Sequence, residues 1–368
     1  MKTLVDSPAF IDQLSADIGR ASRSVCVQTM SFEGDAAGRR LAGLLLSRPD
    51  LDRTLIIDRY SLFYLNDRFL PAPWNAVKPS LWRELRETVR LVGELRRAGV
   101  RVHWTNPVGV LLLRFVGRNH KKLVLIDDRV VYIGGMNVCD HNFFWHDAMV
   151  RLEDERVGGF LREDVRATLR GENLPHRADY GDIEIILLDG VNNPELCEPL
   201  FQLIRDARES IVIQSPYLSS PFYERLAEAV RRGVSVTVIA PAENNNPKMN
   251  AYTQWAAERA GATLRLYVDR MSHVKAMIVD GETLVIGSSN FDLLSYETQQ
   301  EIVAIVRDRS VVEQFRRDVF EADLARCVEP TRVLSPRWQA WRHRIFQGIA
   351  YLLVEAHRRY PTRSPRRE

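Results

Sequence analysis

The chain has 368 residues and a mass of 42.3 kDa, with 45% hydrophobic and 27% charged residues. These proportions are ordinary for a globular protein, and the length suffices for two domains or one large duplicated one. The net charge of +3 hides a separation: residues 331–368 hold nine Arg against Glu355 and Glu368, a local charge of +7, which leaves −4 on the remainder. A mildly acidic body argues against broad nucleic-acid binding. The four cysteines, Cys26, Cys139, Cys197 and Cys327, show no Cys-x-x-Cys spacing, so neither a metal site nor a redox pair is expected, and a reducing, cytoplasmic compartment is. The N-terminus lacks the apolar core of a signal peptide, and no run of 18 apolar residues provides a spanning helix.

In chain order, residues 7–23 are predicted helical, with Phe10, Leu14 and Ile18 on one face. Residues 25–30 form a strand, 35–47 a helix capped by Asp35, and 55–58 the next strand. Residues 59–80 are expected to be irregular; they carry Tyr60, Phe63, Tyr64, Phe69 and Trp74 with three prolines, and have no counterpart later in the chain. They read equally as a cap or acyl-chain wall over a site and as a packed surface loop. A helix over 81–98 and a strand over 100–104 follow, and then the apolar stretch 107–115, which reads as buried core first and as a hydrophobic mouth second.

That stretch leads into His120-x-Lys122-x-x-x-x-Asp127, and the same pattern recurs as His273-x-Lys275-x-x-x-x-Asp280. Each copy is followed by a small-residue turn, Gly134-Gly135-Met136-Asn137 or Gly287-Ser288-Ser289-Asn290, with 17 residues from His to Asn in both. One such pattern is weak; two in register mark a duplicated unit. The repeat extends further: 194–207, 211–214, 221–232, 234–239 and 260–266 parallel the helices and strands of the first half, and 242–250 is an Asn-rich loop. The alternation of helix and strand predicts a three-layer α/β arrangement, with a linker near 173–182. Beyond 331 the pattern changes: Trp338, Trp341, Ile345, Ile349, Leu352 and Leu353 recur at helical spacing, with Arg342, Arg344, Arg358 and Arg359 mostly off that face. This describes an in-plane membrane helix over 336–360 or, alternatively, a helix docked on the body. Residues 362–368 are expected to be disordered.

The repeated residues suit phosphodiester chemistry. On a strand His120 and Lys122 share a face, as do His273 and Lys275. If the two copies meet, one imidazole attacks phosphorus and the other protonates the leaving oxygen, while the lysines offset the charge on the non-bridging oxygens, with no metal required. The chain has only six lysines against 45 arginines, yet keeps Lys at both motif positions, which points to a compact point charge there. Asp147 and Glu301, ten and eleven residues past Asn137 and Asn290, are placed to accept from an imidazole Nδ1–H. Asp127 and Asp280 stand where strand gives way to turn, and read as turn-fixing first and catalytic second.

On both motifs, both turns, Ser215-Pro216-Tyr217 and Arg232-Gly233-Val234, the chain resembles the phospholipase D superfamily, bacterial cardiolipin-synthase-like branch, over roughly residues 5–330. The resemblance implies an α/β fold of two pseudo-twofold-related phospholipase-D-like halves, each a mixed β-sheet flanked by helices, sharing one active site. The halves would be 1–178, carrying the insertion 59–80, and 179–330, followed by a basic amphipathic helix and tail over 331–368. It implies His120 as the nucleophile that forms a phosphohistidine and His273 as general acid and base, with Lys122, Lys275, Asp127 and Asp280 completing the motifs and Asn137, Asp147, Ser289, Asn290 and Glu301 in support. No cofactor or metal is implied. The substrate class is a phospholipid such as phosphatidylglycerol, with an alcohol or water as acceptor, at a membrane surface. Gln300 departs from the Asn that this branch often carries before its Glu. A metal-independent nuclease of the same superfamily and a membrane scaffold with a relict site are the competing readings. Oligomeric state, head group and acyl preference are not legible.

Overall fold

A computed structural model describes residues 1–359 except 110, 111, 113 and 331–335, and within 336–344 and at 346 the backbone alone. The chain divides between Leu174 and Pro175 into two compact units.

The first unit is built on a seven-stranded mixed sheet. Its strands are β1 (Lys2–Val5), β2 (Ser24–Thr29), β3 (Asp52–Asp58), β6 (Arg101–Thr105), β7 (Leu123–Ile126), β8 (Val130–Gly134) and β9 (Ala148–Glu153), in the order β1-β9-β8-β7-β2-β3-β6. β2, β3 and β6 run parallel, joined by helical crossovers; β7, β8 and β9 form an antiparallel meander added beside β2. Alternation sorts the strand side chains between two faces. Val25, Val27, Leu55, Ile57, Val124 and Ile126 pack against Phe10, Leu14 and Ile18 of the helix Asp6–Arg20, Leu41 and Leu45 of Ala36–Leu46, and Leu91 and Leu95 of Pro79–Arg97. On β7 and β8 lies the helix Glu155–Arg170, which buries Val157, Leu161 and Val165. Its ends follow capping rules: Asp154 accepts from Arg156 N and Val157 N, and Gly171 closes it at φ 77°.

The second unit repeats this plan. β10 (His176–Asp179), β11 (Ile183–Asp189), β12 (Ser210–Gln214), β13 (Ser235–Pro241), β14 (Thr263–Tyr267), β15 (Ala276–Val279), β16 (Thr283–Gly287), β17 (Gln300–Val306) and β18 (Cys327–Val328) form a nine-stranded sheet in the order β10-β11-β17-β16-β15-β12-β13-β14-β18. The run β17-β16-β15-β12-β13-β14 matches β9-β8-β7-β2-β3-β6 in direction and partner.

Three expectations differ from the structure, and a fourth element follows the second of its two readings, a helix docked on the body. The segment 59–80 is ordered: a 3-10 turn (Arg59–Leu62), the hairpin β4 (Tyr64–Leu65) and β5 (Arg68–Phe69), and a short helix Pro73–Ala76. Aromatic packing overrides its proline content, with Tyr60 stacked on Tyr64 at 4.8 Å and Phe69 edge-on to Phe115 at 5.3 Å, while Trp74 and Val77 stay exposed. The linker near 173–182 contains β10, because residues 176–179 pair with β11; the first half therefore ends at Leu174 rather than 178. The Asn-rich loop ends at Asn246, whose side chain caps the helix Pro247–Ala260. Finally, the helix Pro336–Arg359 belongs to the second unit. His357 Nε2 meets Gly190 O at 3.2 Å, Arg358 pairs with Glu297 at 2.7 Å, and Val354 is buried. Its opposite face leaves Ile345, Ile349, Leu352 and Leu353 exposed, at spacings of four, three and one. The side chains of Trp338, Trp341, Arg342 and Arg344, residues Val110, Leu111 and Leu113 of the apolar approach, and the tail 362–368 lie outside the described residues.

Candidate active site

In each unit the antiparallel meander carries the repeated residues to one end of the sheet. The start of β7 is adjacent to the ends of β2 and β8, and the start of β9 adjoins the end of β8. His120, Lys122, Gln28, Asn137 and Asp147 therefore gather at that end, all of them buried. The same register gathers His273, Lys275, Gln214, Ser289, Asn290 and Glu301 in the second unit, again buried.

Asp127 and Asp280 lie at the other end of their strands, roughly 20 Å of extended chain from the motif histidines. Asp127 accepts from Ser22 N, Arg23 N and Ser24 N at 2.7, 2.7 and 2.9 Å. Asp280 accepts from Arg208 N, Glu209 N and Ser210 N at 2.9, 2.8 and 2.9 Å. Each has positive φ, 54° and 51°, which Asp tolerates in a turn. Desolvation works against these carboxylates, but the N–H groups outweigh it and hold both below the usual carboxylate range. Both carboxylates thus fasten the entry to β2 and β12, the turn-fixing place that the sequence suggested first.

The motif lysines fold back on their own segments. Lys122 Nζ donates to His120 O at 2.8 Å, and Lys275 Nζ to His273 O at 2.6 Å. The intervening residue points the other way. Lys121 forms a buried ion pair with Asp164 of the helix Glu155–Arg170 at 2.5 Å, whereas Val274 is simply buried at the equivalent place. Of the two adjacent lysines, Lys121 is thus structural.

The turns after β8 and β16 explain their small residues. A Cβ on Gly135 would collide with the Asp147 carboxylate, and one on Gly287 with Ile302 O. In the second unit Ser288 stands where Gly135 does, and its hydroxyl donates to Glu301, as does Ser295 Oγ at 3.0 Å. Asn137 Oδ1 accepts from Ser31 N at 3.3 Å, while Ser289 Oγ donates to Asn290 O at 3.0 Å.

Sequence reasoning missed the groups that seat the histidines. Gln28 Nε2 donates to Asn119 Oδ1 at 2.8 Å, and Gln214 Nε2 to Ser272 Oγ at 2.9 Å; Asn119 and Ser272 immediately precede the two histidines. Gln28 Oε1 and Gln214 Oε1 are both buried without a hydrogen-bond partner among the described residues. The signal was available, since each Gln lies at or one residue before the end of its strand, opposite the third residue past the motif His. Asp58, at the end of β3, clamps the same loop: it accepts from Asn119 N at 2.7 Å, Tyr60 N at 2.7 Å and Arg118 Nη1 at 3.0 Å. Burial pushes the Asp58 carboxyl up, against the Arg118 charge and the two N–H groups. In the second unit a buried carboxylate from elsewhere in the chain, Asp323, accepts from Gln214 Nε2 at 2.7 Å. Asp58 and Asp323 are far from the motifs in sequence, and nothing local marks them.

The comparisons with known proteins agree with this plan. The family model described as "Cardiolipin synthase, PLD-like domain" matches residues 14–164 and 200–324, one stretch in each unit. Cardiolipin synthase A of Pseudomonas putida (strain W619) is 28% identical over an alignment covering 94% of this chain and 72% of the relative. The major cardiolipin synthase of Bacillus subtilis (strain 168) is 25% identical, over 86% of this chain and 68% of its own. Among solved structures, phosphatidylserine synthase from Haemophilus influenzae Rd KW20 has the same fold, with a TM-score of 0.68 at 13% identity over 95% of this chain and 93% of that one. A duplicated His-x-Lys that stands just before a buried strand, not on it as the sequence suggested, is flanked in both units by a glutamine of the neighbouring strand; the model matches three-quarters of the chain, which belongs to the cardiolipin synthase, phospholipase-D-like family.

Proposed function

We propose that the chain is a phosphatidyltransferase working through a phosphohistidine, with phosphatidyl transfer to a second phosphatidylglycerol as its reaction. The observation that carries this is the duplication of a buried His-x-Lys with the same seating in both units, in a chain of this family. His120 attacks the lipid phosphorus, and the P–O bond to the departing glycerol breaks as His273 gives that oxygen a proton. His273 then takes the proton of the incoming hydroxyl, which attacks the phosphohistidine and frees His120. Lys122 and Lys275 offset the charge on the non-bridging oxygens. Asn137, Ser289 and Asn290 support the turns beside the histidines, and Asp147 and Glu301 steady the imidazoles. Asp127 and Asp280 act only by holding the turns behind the motif strands.

The reading needs the two histidines to serve one phosphorus, and it needs access to lipid. The exposed stripe Ile345, Ile349, Leu352 and Leu353 is the surface we assign to a membrane, with the basic tail favouring anionic lipid. No helix among the described residues is long and apolar enough to cross a membrane.

The test is incubation of the purified chain with phosphatidylglycerol liposomes, followed by mass spectrometry of the lipids, with His120→Asn as control. Cardiolipin plus glycerol, lost in the variant, supports the proposal. Phosphatidic acid alone makes the protein a hydrolase. No lipid turnover, together with cleavage of single-stranded DNA in a parallel tube, overturns it in favour of a nuclease.

A further inference from the structure

A second cluster of chemistry-bearing side chains lies in the first unit and takes no part in the proposed reaction. After β2 and β8 the chain makes one more bridge, Phe32 to Val138, with Val138 N donating to Ser31 O at 3.0 Å and Glu33 N to Val138 O at 3.3 Å. This zip sets Glu33 beside Cys139 and the first turn of the helix Asp140–Phe144. Glu33 and Cys139 are fully buried, and His141 is about one-fifth exposed. Cys139 Sγ lies 3.6 Å from His141 Nε2, and His141 Nδ1 lies 3.9 Å from Glu33 Oε1. These contacts use opposite ring nitrogens, of which one ion takes one; with one donor atom from each residue, a sulfur, an imidazole nitrogen and a carboxylate oxygen lie within 4.8 Å of one another.

The spacing fits a cation. A tetrahedral ion with Zn–S and Zn–N bonds of about 2.3 and 2.0–2.1 Å separates its sulfur and nitrogen ligands by about 3.5 Å. A second donor group extends the cluster from the other side: Glu84 and Asp35 carboxylate oxygens also lie within 4.8 Å of Glu33, and Glu84 Oε1 is buried without a hydrogen-bond partner. Asp35 is occupied by capping, since it accepts from Gly38 N, so Glu84 is the carboxylate left to turn toward an ion.

The internal repeat shows that this set is not demanded by the fold. The matching bridge in the second unit is Leu218 to Phe291, so Cys139 corresponds to Asp292 and His141 to Leu294. Asp292 caps the helix Leu293–Glu297 by accepting from Ser295 N, whereas Cys139 at the same place makes no side-chain cap. The first unit lacks this cap and has a thiol, an imidazole and a buried carboxylate in its place.

We propose that Glu33, Cys139 and His141 bind a zinc-class divalent ion, with a fourth position left for Glu84 or water. Thiolate with imidazole selects this class over magnesium or calcium. The ion would be structural and separate from the reacting phosphorus. Asn66 N, in the turn of the β4–β5 hairpin, donates to both oxygens of Glu33 at 3.2 and 3.0 Å, so the ion would also tie the aromatic insertion to the sheet.

The test uses the full chain stripped with chelator and titrated with Co²⁺. One equivalent bound, with a thiolate-to-cobalt charge-transfer band that Zn²⁺ displaces, is the expected result. Cys139→Ser should abolish the band, and His141→Ala should weaken binding by more than about a hundredfold. Since Cys139→Ser buries a hydroxyl, His141→Ala at a partly exposed position is the safer variant, and circular dichroism checks both folds. Zn²⁺ should also slow hydrogen exchange in residues 60–78 of the parent and not of His141→Ala. No charge-transfer band, or a band unchanged in both folded variants, overturns the proposal. Lipid turnover is not a readout, so a failure of the proposed reaction leaves this result standing.

Discussion

Asp58→Asn tests the idea that a buried clamp, rather than the motif alone, seats His120. Asp58 and Arg118 are 1% and 2% exposed. One carboxylate oxygen takes Arg118 Nη1 and Tyr60 N; the other takes Asn119 N at 2.7 Å and Thr105 Oγ1 at 3.4 Å. An amide must turn its NH2 toward one of these sets, so a donor faces a donor whichever way it flips, and Arg118 keeps an uncompensated charge. Breaking a buried pair from one side costs about 3–5 kcal/mol. Chemical denaturation of the first unit's transition should show that loss. Asp58→Leu combined with Arg118→Met removes both charges, and replacing a buried pair by apolar groups is often neutral. We expect this double variant to recover most of the stability but little of the turnover, because Asn119 N still lacks its acceptor and His120 is left loosely held. Asp58→Asn within about 1 kcal/mol of the parent would refute the clamp. Full turnover in the double variant would refute its role in seating the histidine.

Other variants probe the same scaffold. Gln28→Leu and Gln214→Leu should each lower kcat by about tenfold to a hundredfold through loosened histidines, with far smaller changes in KM and in melting temperature. Asp17 is held at about 2, from 3.8: burial works against it, and Arg151, Tyr132 and Arg20 more than offset that. A depressed carboxyl contributes stability above its unfolded value that is lost as pH falls through the folded one, here about 2 kcal/mol between pH 4 and 2. Denaturant midpoints across that window should fall for the parent and stay flatter for Asp17→Asn. Leu352→Asp combined with Leu353→Asp should reduce flotation with anionic vesicles without unfolding the second unit, since both side chains point to solvent. Unchanged flotation would remove that face from the proposed membrane contact.

The parts of this molecule visible in its sequence are those encoded by short-range pattern. An apolar run marked the strand over residues 25–30, and the paired motifs located the starts of β7 and β15. What stayed hidden depended on distant partners. Lys121 and Lys122 are adjacent and chemically alike, and only Asp164, more than 40 residues on, distinguishes the structural one. The insertion looked irregular because its prolines and short strands hide a hairpin held by stacked rings. β10 looked like a linker because three of its four residues, His176, Arg177 and Asp179, are polar; it is an edge strand whose pairing with β11 decides its state.

The internal repeat separates what the scaffold requires from what each copy adds. Both units keep a His-x-Lys entering a buried strand, a Gln on the neighbouring strand and a glycine where the turn meets the next backbone. Around that frame the partners differ. Asp147 faces Gly135, while Glu301 takes hydroxyls from Ser288 and Ser295. Asp58 with a buried guanidinium holds the first loop directly; in the second unit Gln214, which donates to Ser272, also donates to Asp323. Two sites free to do the same job would have no need of unlike surroundings. A nucleophile and a general acid do have such a need, since one must be a neutral base at the start of the cycle while the other carries the proton. The unlike carboxylates and seating groups are where that difference would be set. Exchanging Gly135 for Ser and Asp147 for Glu in one variant gives the first unit two of the second unit's flanking residues. If the surroundings set the roles, that variant should accumulate less phosphohistidine in a rapid quench, while His273 and the fold of the second unit stay unchanged. Undiminished accumulation would mean that the roles are fixed by where the substrate binds, and not by the residues around each imidazole.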